Sequence, residues 1–145
     1  MLLQLTSNQI SSHWDEIKDH LQYTLSPIME ISEATLNNIF EGLIAGTSQA
    51  WIIIGDAPEH SIYAMAVTSF SYEPGTNTKN LLIYSLSGYR HIPDELWKSA
   101  LDGAKAFAKA NGCFKLMAYT QVDRITAISN SVGGNTNTRL IYWEV

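Results

Sequence analysis

Residues 80–112 read NLLIYSLSGYRHIPDELWKSALDGAKAFAKANG, and the fold turns on how this stretch is organised. The run 81–86 is apolar, as in a strand covered on both faces. A short polar loop follows. Trp97, Ala100, Leu101, Ala104, Phe107 and Ala108 then recur at helical spacing over about 93–111. Lys98, Asp102, Lys105 and Lys109 fall on the opposite side, so an amphipathic helix is predicted, with Trp97, Leu101, Ala104 and Ala108 buried. Gly112 stands where helices commonly close in left-handed backbone, and 113–119 reads as another strand. A strand, a helix and a second strand in this order predict that 81–86 and 113–119 run parallel.

Upstream, 1–6 is a short apolar strand ended by the polar turn Ser7-Asn8-Gln9. Ser12 followed by Asp15 marks a helix start, and Trp14, Ile17, Leu21 and Leu25 recur at helical spacing until Pro27 stops them. Ser32 opens a second helix with Leu36, Ile39, Phe40, Leu43 and Ile44 on one face, closed by Gly46. The β-branched run 50–55, the turn Asp56-Ala57-Pro58-Glu59 and the strand 61–72 come next, followed by the turn Glu73-Pro74-Gly75-Thr76-Asn77. Downstream, 122–132 is a short helix, Gly133-Gly134 a turn set by backbone need, and 139–145 (RLIYWEV) a closing strand. The predicted order is β-α-α-β-β-β-α-β-α-β. It is an α/β (α+β) chain of one domain over 1–145, with a mixed sheet centred on 50–55, 61–72, 81–86 and 113–119.

Composition narrows the function. Nine basic residues against fourteen acidic ones give a formal charge of −5, and the basic residues are scattered singly. Nucleic-acid binding depends on clustered Lys and Arg, so no nucleic-acid partner is expected. Cys113 is the only cysteine, which excludes an intramolecular disulfide, and it reads as a small buried thiol. His13, His20, His60 and His91 show no metal spacing with carboxylates, so no metal site is expected. No leader and no apolar run of membrane length are visible, which predicts a cytoplasmic or virion-borne protein that is not secreted and has no membrane role.

The element order and the Gly133-Gly134 pair before the last strand resemble the GNAT N-acetyltransferase superfamily over essentially the whole chain. That resemblance implies an acetyl-CoA site at the start of the long helix. There the family carries Arg/Gln-x-x-Gly-x-Gly/Ala, whose glycines let the backbone approach a pyrophosphate at the helix N-terminus. The matching segment here is Ser87-Gly88-Tyr89-Arg90-His91-Ile92-Pro93-Asp94-Glu95. It has one glycine at motif spacing, Pro93 offers no N–H, and Asp94 and Glu95 bring negative charge to the first turn. Leu86, Ser87, Gly88, Tyr89 and Arg90 are the candidate cofactor-binding residues.

The family also uses a tyrosine of the last helix as general acid. Ser129 or Asn130 falls at that place, and neither is acidic enough for that transfer. Tyr119 and Tyr142, on neighbouring predicted strands, are the candidate substitutes. Strand 81–86 carries no carboxylate to act as a base, and Glu73 in the preceding turn reads as solvated. Four tryptophans and seven tyrosines are a rich aromatic supply for this length, and exposed ones mark protein interfaces. In length and pattern the chain resembles small GNAT-like proteins encoded among bacteriophage structural genes. The expectation is a degraded acetyl-CoA motif on an intact fold, in a non-catalytic, virion-associated interaction protein with a protein partner or homo-oligomer. The alternative is an active N-acetyltransferase that moves an acyl group from acetyl-CoA to an amine of a small molecule or protein.

Overall fold

The computed structural model describes residues 1–56, 58–120, 122–138 and 141–145. Among them, one sheet runs in the order β1 (Leu2–Gln4), β2 (Ser48–Ile54), β3 (Ile62–Tyr72), β4 (Lys79–Gly88) and β5 (Lys115–Ala118). Neighbours from β1 to β4 are antiparallel, and β4 pairs with β5 in parallel from Asn80↔Lys115 to Ile83↔Ala118. The mixed sheet and its parallel crossover through α4 (Asp94–Ala110) are therefore formed as expected.

Strand periodicity sorts the helices onto two faces. α1 (Ser7–Ser12), α2 (Trp14–Leu25) and α3 (Glu33–Ala45) cover one face, where Ile10, Ile17, Leu21, Leu25, Leu36 and Leu43 pack with Ala50, Met65 and Val67. α4 covers the other, where Ile92 and Ala100 pack with Ile53 and Ala64, and Phe107 meets Trp51 edge-on. Each buried Leu or Ile side chain contributes about 1.5–3 kcal/mol. α5 (Asp123–Ser131) follows β5 and buries no residue fully.

Local chemistry sets the ends. Ser32 caps α3 by accepting the Thr35 N–H at 3.1 Å. α4 ends on Gly112 at φ +73°, where the Cys113 N–H reaches the Ala108 carbonyl at 2.9 Å and the Gly112 N–H reaches Lys109 at 3.1 Å. Lys79 Nζ donates to the Asn111 carbonyl at 3.1 Å and lies 4.0 Å from the centre of the Phe70 ring. The C-terminal end of α4 is thereby tied to the start of β4.

Four expectations need correction. The first helix begins at Thr6, not Ser12: the Thr6 hydroxyl accepts the Gln9 N–H at 3.3 Å while Gln9 Oε1 accepts the Thr6 N–H at 2.8 Å. A glutamine reaches back to the cap, which the shorter Asp15 does not. Ser7-Asn8-Gln9 is thus helical, and a break at His13 separates α1 from α2, so three helices precede β2. Next, Trp97 and Leu101 are half-buried, and the fully buried positions are Ala100, Ala104 and Ala108. Small residues line the contact because α4 lies close on the sheet, which leaves the large side chains at its margins. Cys113 is likewise half-buried, and burial raises its thiol above the usual range.

Finally, the closing strand does not appear among the described residues. Arg139 and Leu140 lie outside them, and 141–145 is irregular and exposed. Among the described residues, the expected central strand 113–119 is reduced to Lys115–Ala118 at the edge of the sheet. Periodicity shows which side chains share a face; it carries no information on which edge the segment meets.

Candidate functional site

The sheet opens between β4 and β5. Their pairing stops at Ile83↔Ala118, while β4 continues to Gly88. The cause lies on the other side of β4. Val67 pairs with Ser85 and Thr68 with Ile83, so Tyr84 is an extra residue that bends the strand. Tyr84 packs against the α1–α3 cluster, and burial pushes its hydroxyl up to about 12, offset in part by the Ser48 hydroxyl.

Beside this bulge the buried His20 and Ser85 meet the half-buried Thr24. Ser85 Oγ lies 2.7 Å from His20 Nε2 and 2.6 Å from Thr24 Oγ1, and the Thr24 hydroxyl donates to the His20 carbonyl at 3.0 Å. His20 is 6% exposed and Ser85 2%. Burial lowers the His20 pKa to about 4, so the ring is neutral near pH 7. The sequence reading did not single out this pair. Its signal was a histidine one residue before Leu21 on the apolar face, and a serine interrupting the apolar run of β4.

The loop from β4 to α4 decides whether the cleft can hold a CoA pyrophosphate. Leu86 and Ser87 lie in β4, paired with Ala66 and Met65, and Gly88 pairs with Ala64. A Cβ added at Gly88 would meet nothing closer than the Arg90 carbonyl at 3.4 Å, so the glycine answers no close approach. The Tyr89 N–H is already taken by the Tyr63 carbonyl at 2.8 Å. The exposed Tyr89 ring has its hydroxyl pKa raised by burial and then by the charge of Glu16. Arg90 stacks its guanidinium 5.3 Å from the Tyr63 ring centre.

The entrance to α4 is filled from across the fold. Pro93 is its N-cap, with no side-chain cap bond, and Asp94 and Glu95 occupy the first turn. Arg124 Nη2 of α5 donates to the Ile92 carbonyl at 2.7 Å and to Asp94 Oδ1 at 3.0 Å, and lies 3.5 Å from His91 Nε2. Backbone donors and a free cation at the helix N-terminus are what a pyrophosphate needs. Here Arg124 is paired with Asp94, Arg90 lies against the Tyr63 ring, and two carboxylates stand in the first turn. The residues present do not fit a CoA pyrophosphate. Arg124 had no local signal, since its contact spans 30 residues in sequence.

The candidate acids separate. Tyr119 follows β5 at the mouth of the cleft, its N–H 3.3 Å from the Ile83 carbonyl and its side chain exposed. Tyr142 lies in the exposed, irregular 141–145 and belongs to no strand. On α5, Asn130 Oδ1 accepts the Thr136 hydroxyl at 2.8 Å. Gly134 packs so tightly that a Cβ would fall 2.8 Å from the Ser129 carbonyl oxygen, and Gly133 holds φ +85°. Backbone need thus explains the Gly133-Gly134 pair. Glu73, read as solvated, is half-buried; it accepts the Thr78 hydroxyl at 3.2 Å and pairs with Lys115 at 3.7 Å. Two shallow hollows of about 340 and about 360 Å³ lie elsewhere, one between α2 and α3 and one beside β1 and the end of α3.

No family model and no curated protein sequence matches the chain. Solved structures do. An aminoglycoside acetyltransferase from an uncultured soil metagenomic sample, in complex with sisomicin, superposes with TM-score 0.67 at 10% identity, covering 100% of this chain and 94% of that one. An acetyltransferase of Trypanosoma brucei gives TM-score 0.63 at 15% identity, over 100% of this chain and 99% of that one. The ribosomal-protein-alanine N-acetyltransferase of Brucella melitensis biovar Abortus 2308 gives TM-score 0.63 at 10% identity with the same coverage. At such identities the likeness is one of fold alone, and the fold is GNAT-like.

Proposed function

We propose that this chain is an interaction protein on a GNAT-like fold, working through its surface without transferring acyl groups. The observation that carries this reading is the loop before α4, in which two of the groups a pyrophosphate would use are already engaged. The Tyr89 N–H is bonded to Tyr63, and Arg124 is held by Asp94 and the Ile92 carbonyl where a pyrophosphate would lie. A supporting observation is the exposed set Phe114, Tyr119 and Val122 beside β5, with Ile141, Tyr142 and Trp143 exposed in the irregular 141–145. Exposed aromatics of this density suit a protein partner. The resemblance in length and pattern to small phage proteins extends the proposal to a protein that acts in a host cytoplasm or is carried on a virion. No helix among the described residues is long and apolar enough to cross a membrane.

A second reading, an active N-acetyltransferase taking acetyl-CoA, is favoured by the Tyr84 bulge and the opening between β4 and β5. Tyr119, just after β5, would then be its candidate acid. Calorimetric titration with acetyl-CoA separates the two. The interaction reading expects no heat of binding up to millimolar ligand, and a submillimolar Kd would overturn it in favour of the enzyme.

A further inference from the structure

The structure assigns Asn111 as a deamidation site, held shut by the joint that ties the C-terminal end of α4 to β4. Asn111-Gly112 is the one Asn-Gly pair in the sequence. Asparagine is chemically labile, and most so before glycine, where no Cβ shields the next amide nitrogen. That nitrogen attacks the side-chain carbonyl carbon of Asn111, and the carbon's bond to Nδ2 breaks. Ammonia leaves with the proton given up by the Gly112 amide. Water then opens the cyclic imide at either carbonyl, giving aspartate or isoaspartate. Water is the only co-reactant, and Gly112 is exposed to it.

In the folded chain the reacting groups are engaged. Asn111 Nδ2 donates to the Phe107 carbonyl at 2.9 Å, and the Gly112 N–H donates to the Lys109 carbonyl at 3.1 Å. Asn111 has ψ 13°, which turns the Gly112 nitrogen away from the side chain it would attack. Lys79 Nζ holds the Asn111 carbonyl at 3.1 Å, and the Phe114 N–H reaches the Lys79 carbonyl at 2.7 Å. The backbone at Asn111 can turn only when this joint opens, so the rate follows local opening at the end of α4.

The product does not close the joint again. A carboxylate loses the amide's donation to Phe107 and faces that carbonyl with like charge. It also adds negative charge at the negative end of the helix dipole. Isoaspartate lengthens the backbone besides, which shifts Cys113 off its bond to the Ala108 carbonyl. The modification therefore acts once and in one direction, loosening α4 from the start of β5. It is independent of whether the chain binds acetyl-CoA.

The test incubates the full chain at mildly alkaline pH, in buffer and in urea, and follows each asparagine by peptide mass spectrometry. In urea Asn111 should react ahead of Asn77, Asn130 and Asn135. In buffer it should react at least about tenfold more slowly than in urea. Lys79→Met removes the tie and should raise the rate in buffer several-fold, with circular dichroism and the rate in urea unchanged. Arg124→Ala, which acts at the other end of α4, should leave the rate alone. Equal rates in buffer and urea would overturn the inference, as would another asparagine reacting first in urea. A Lys79→Met rate matching wild type, or equal acceleration by both substitutions, would overturn it as well. Hydrogen exchange at the wild-type Gly112 and Cys113 amides gives a reading without a variant: conditions that speed exchange there should speed deamidation in proportion, and a lack of proportion contradicts the gate.

Discussion

At the scale of single residues, His20 makes the sharpest statement. Its pKa falls from an ordinary 6.5 to about 4 in the folded chain, so the native state binds fewer protons than the unfolded one between those values. The stability this neutral ring contributes is fully present above about pH 6.5 and is lost as pH falls toward 4. The full loss is about 3 kcal/mol. Urea unfolding of wild type should show that slope, and His20→Gln should flatten it. An unchanged slope in the variant would mean that other groups carry the acid sensitivity. The two glycines give a paired prediction. Gly134→Ala forces a methyl to 2.8 Å from the Ser129 carbonyl oxygen and should lower stability by about 1–3 kcal/mol. Gly88→Ala meets only ordinary contacts and should stay within about 0.5 kcal/mol. A large loss at Gly88 on thermal unfolding would restore a special backbone role for that loop.

At the scale of elements, α4 shows what the sequence could and could not convey. Its amphipathic repeat located the helix, its exposed lysines and its glycine end, because these depend on local period and backbone chemistry. The repeat ranked large residues as most buried, yet the alanines make the contact, since the closeness of helix to sheet is a tertiary quantity. Trp97→Ala should therefore cost about 2 kcal/mol, less than the roughly 3–5 of a fully buried aromatic. Chemical denaturation checks this. The clamp between α5 and α4 was invisible for a related reason: Arg124 and Asp94 are far apart in sequence and meet only after β5 is placed. That ion pair is exposed, so Arg124→Ala should change stability by less than about 1 kcal/mol. Its consequence is electrostatic, since removing the arginine leaves Asp94 and Glu95 unopposed.

At the scale of the whole molecule, the order of strands and helices was legible from the sequence apart from the break between α1 and α2 and the closing strand, and the solved structures that superpose on the chain bear out the fold. The missed features are those that depend on partner choice: the Thr6 cap that won over Ser12, the His20–Ser85 pair, and the irregular 141–145. The central claim is that this GNAT-like scaffold keeps the opening between β4 and β5 without the grip for a CoA pyrophosphate. The most direct measurement is a titration of the isotope-labelled chain with acetyl-CoA, following the amide resonances of Gly88, Tyr89, Arg90, Asp94 and Glu95 by nuclear magnetic resonance. The account predicts that these five peaks stay in place up to millimolar ligand. Saturable shifts at Tyr89 and at the first turn of α4 would contradict it.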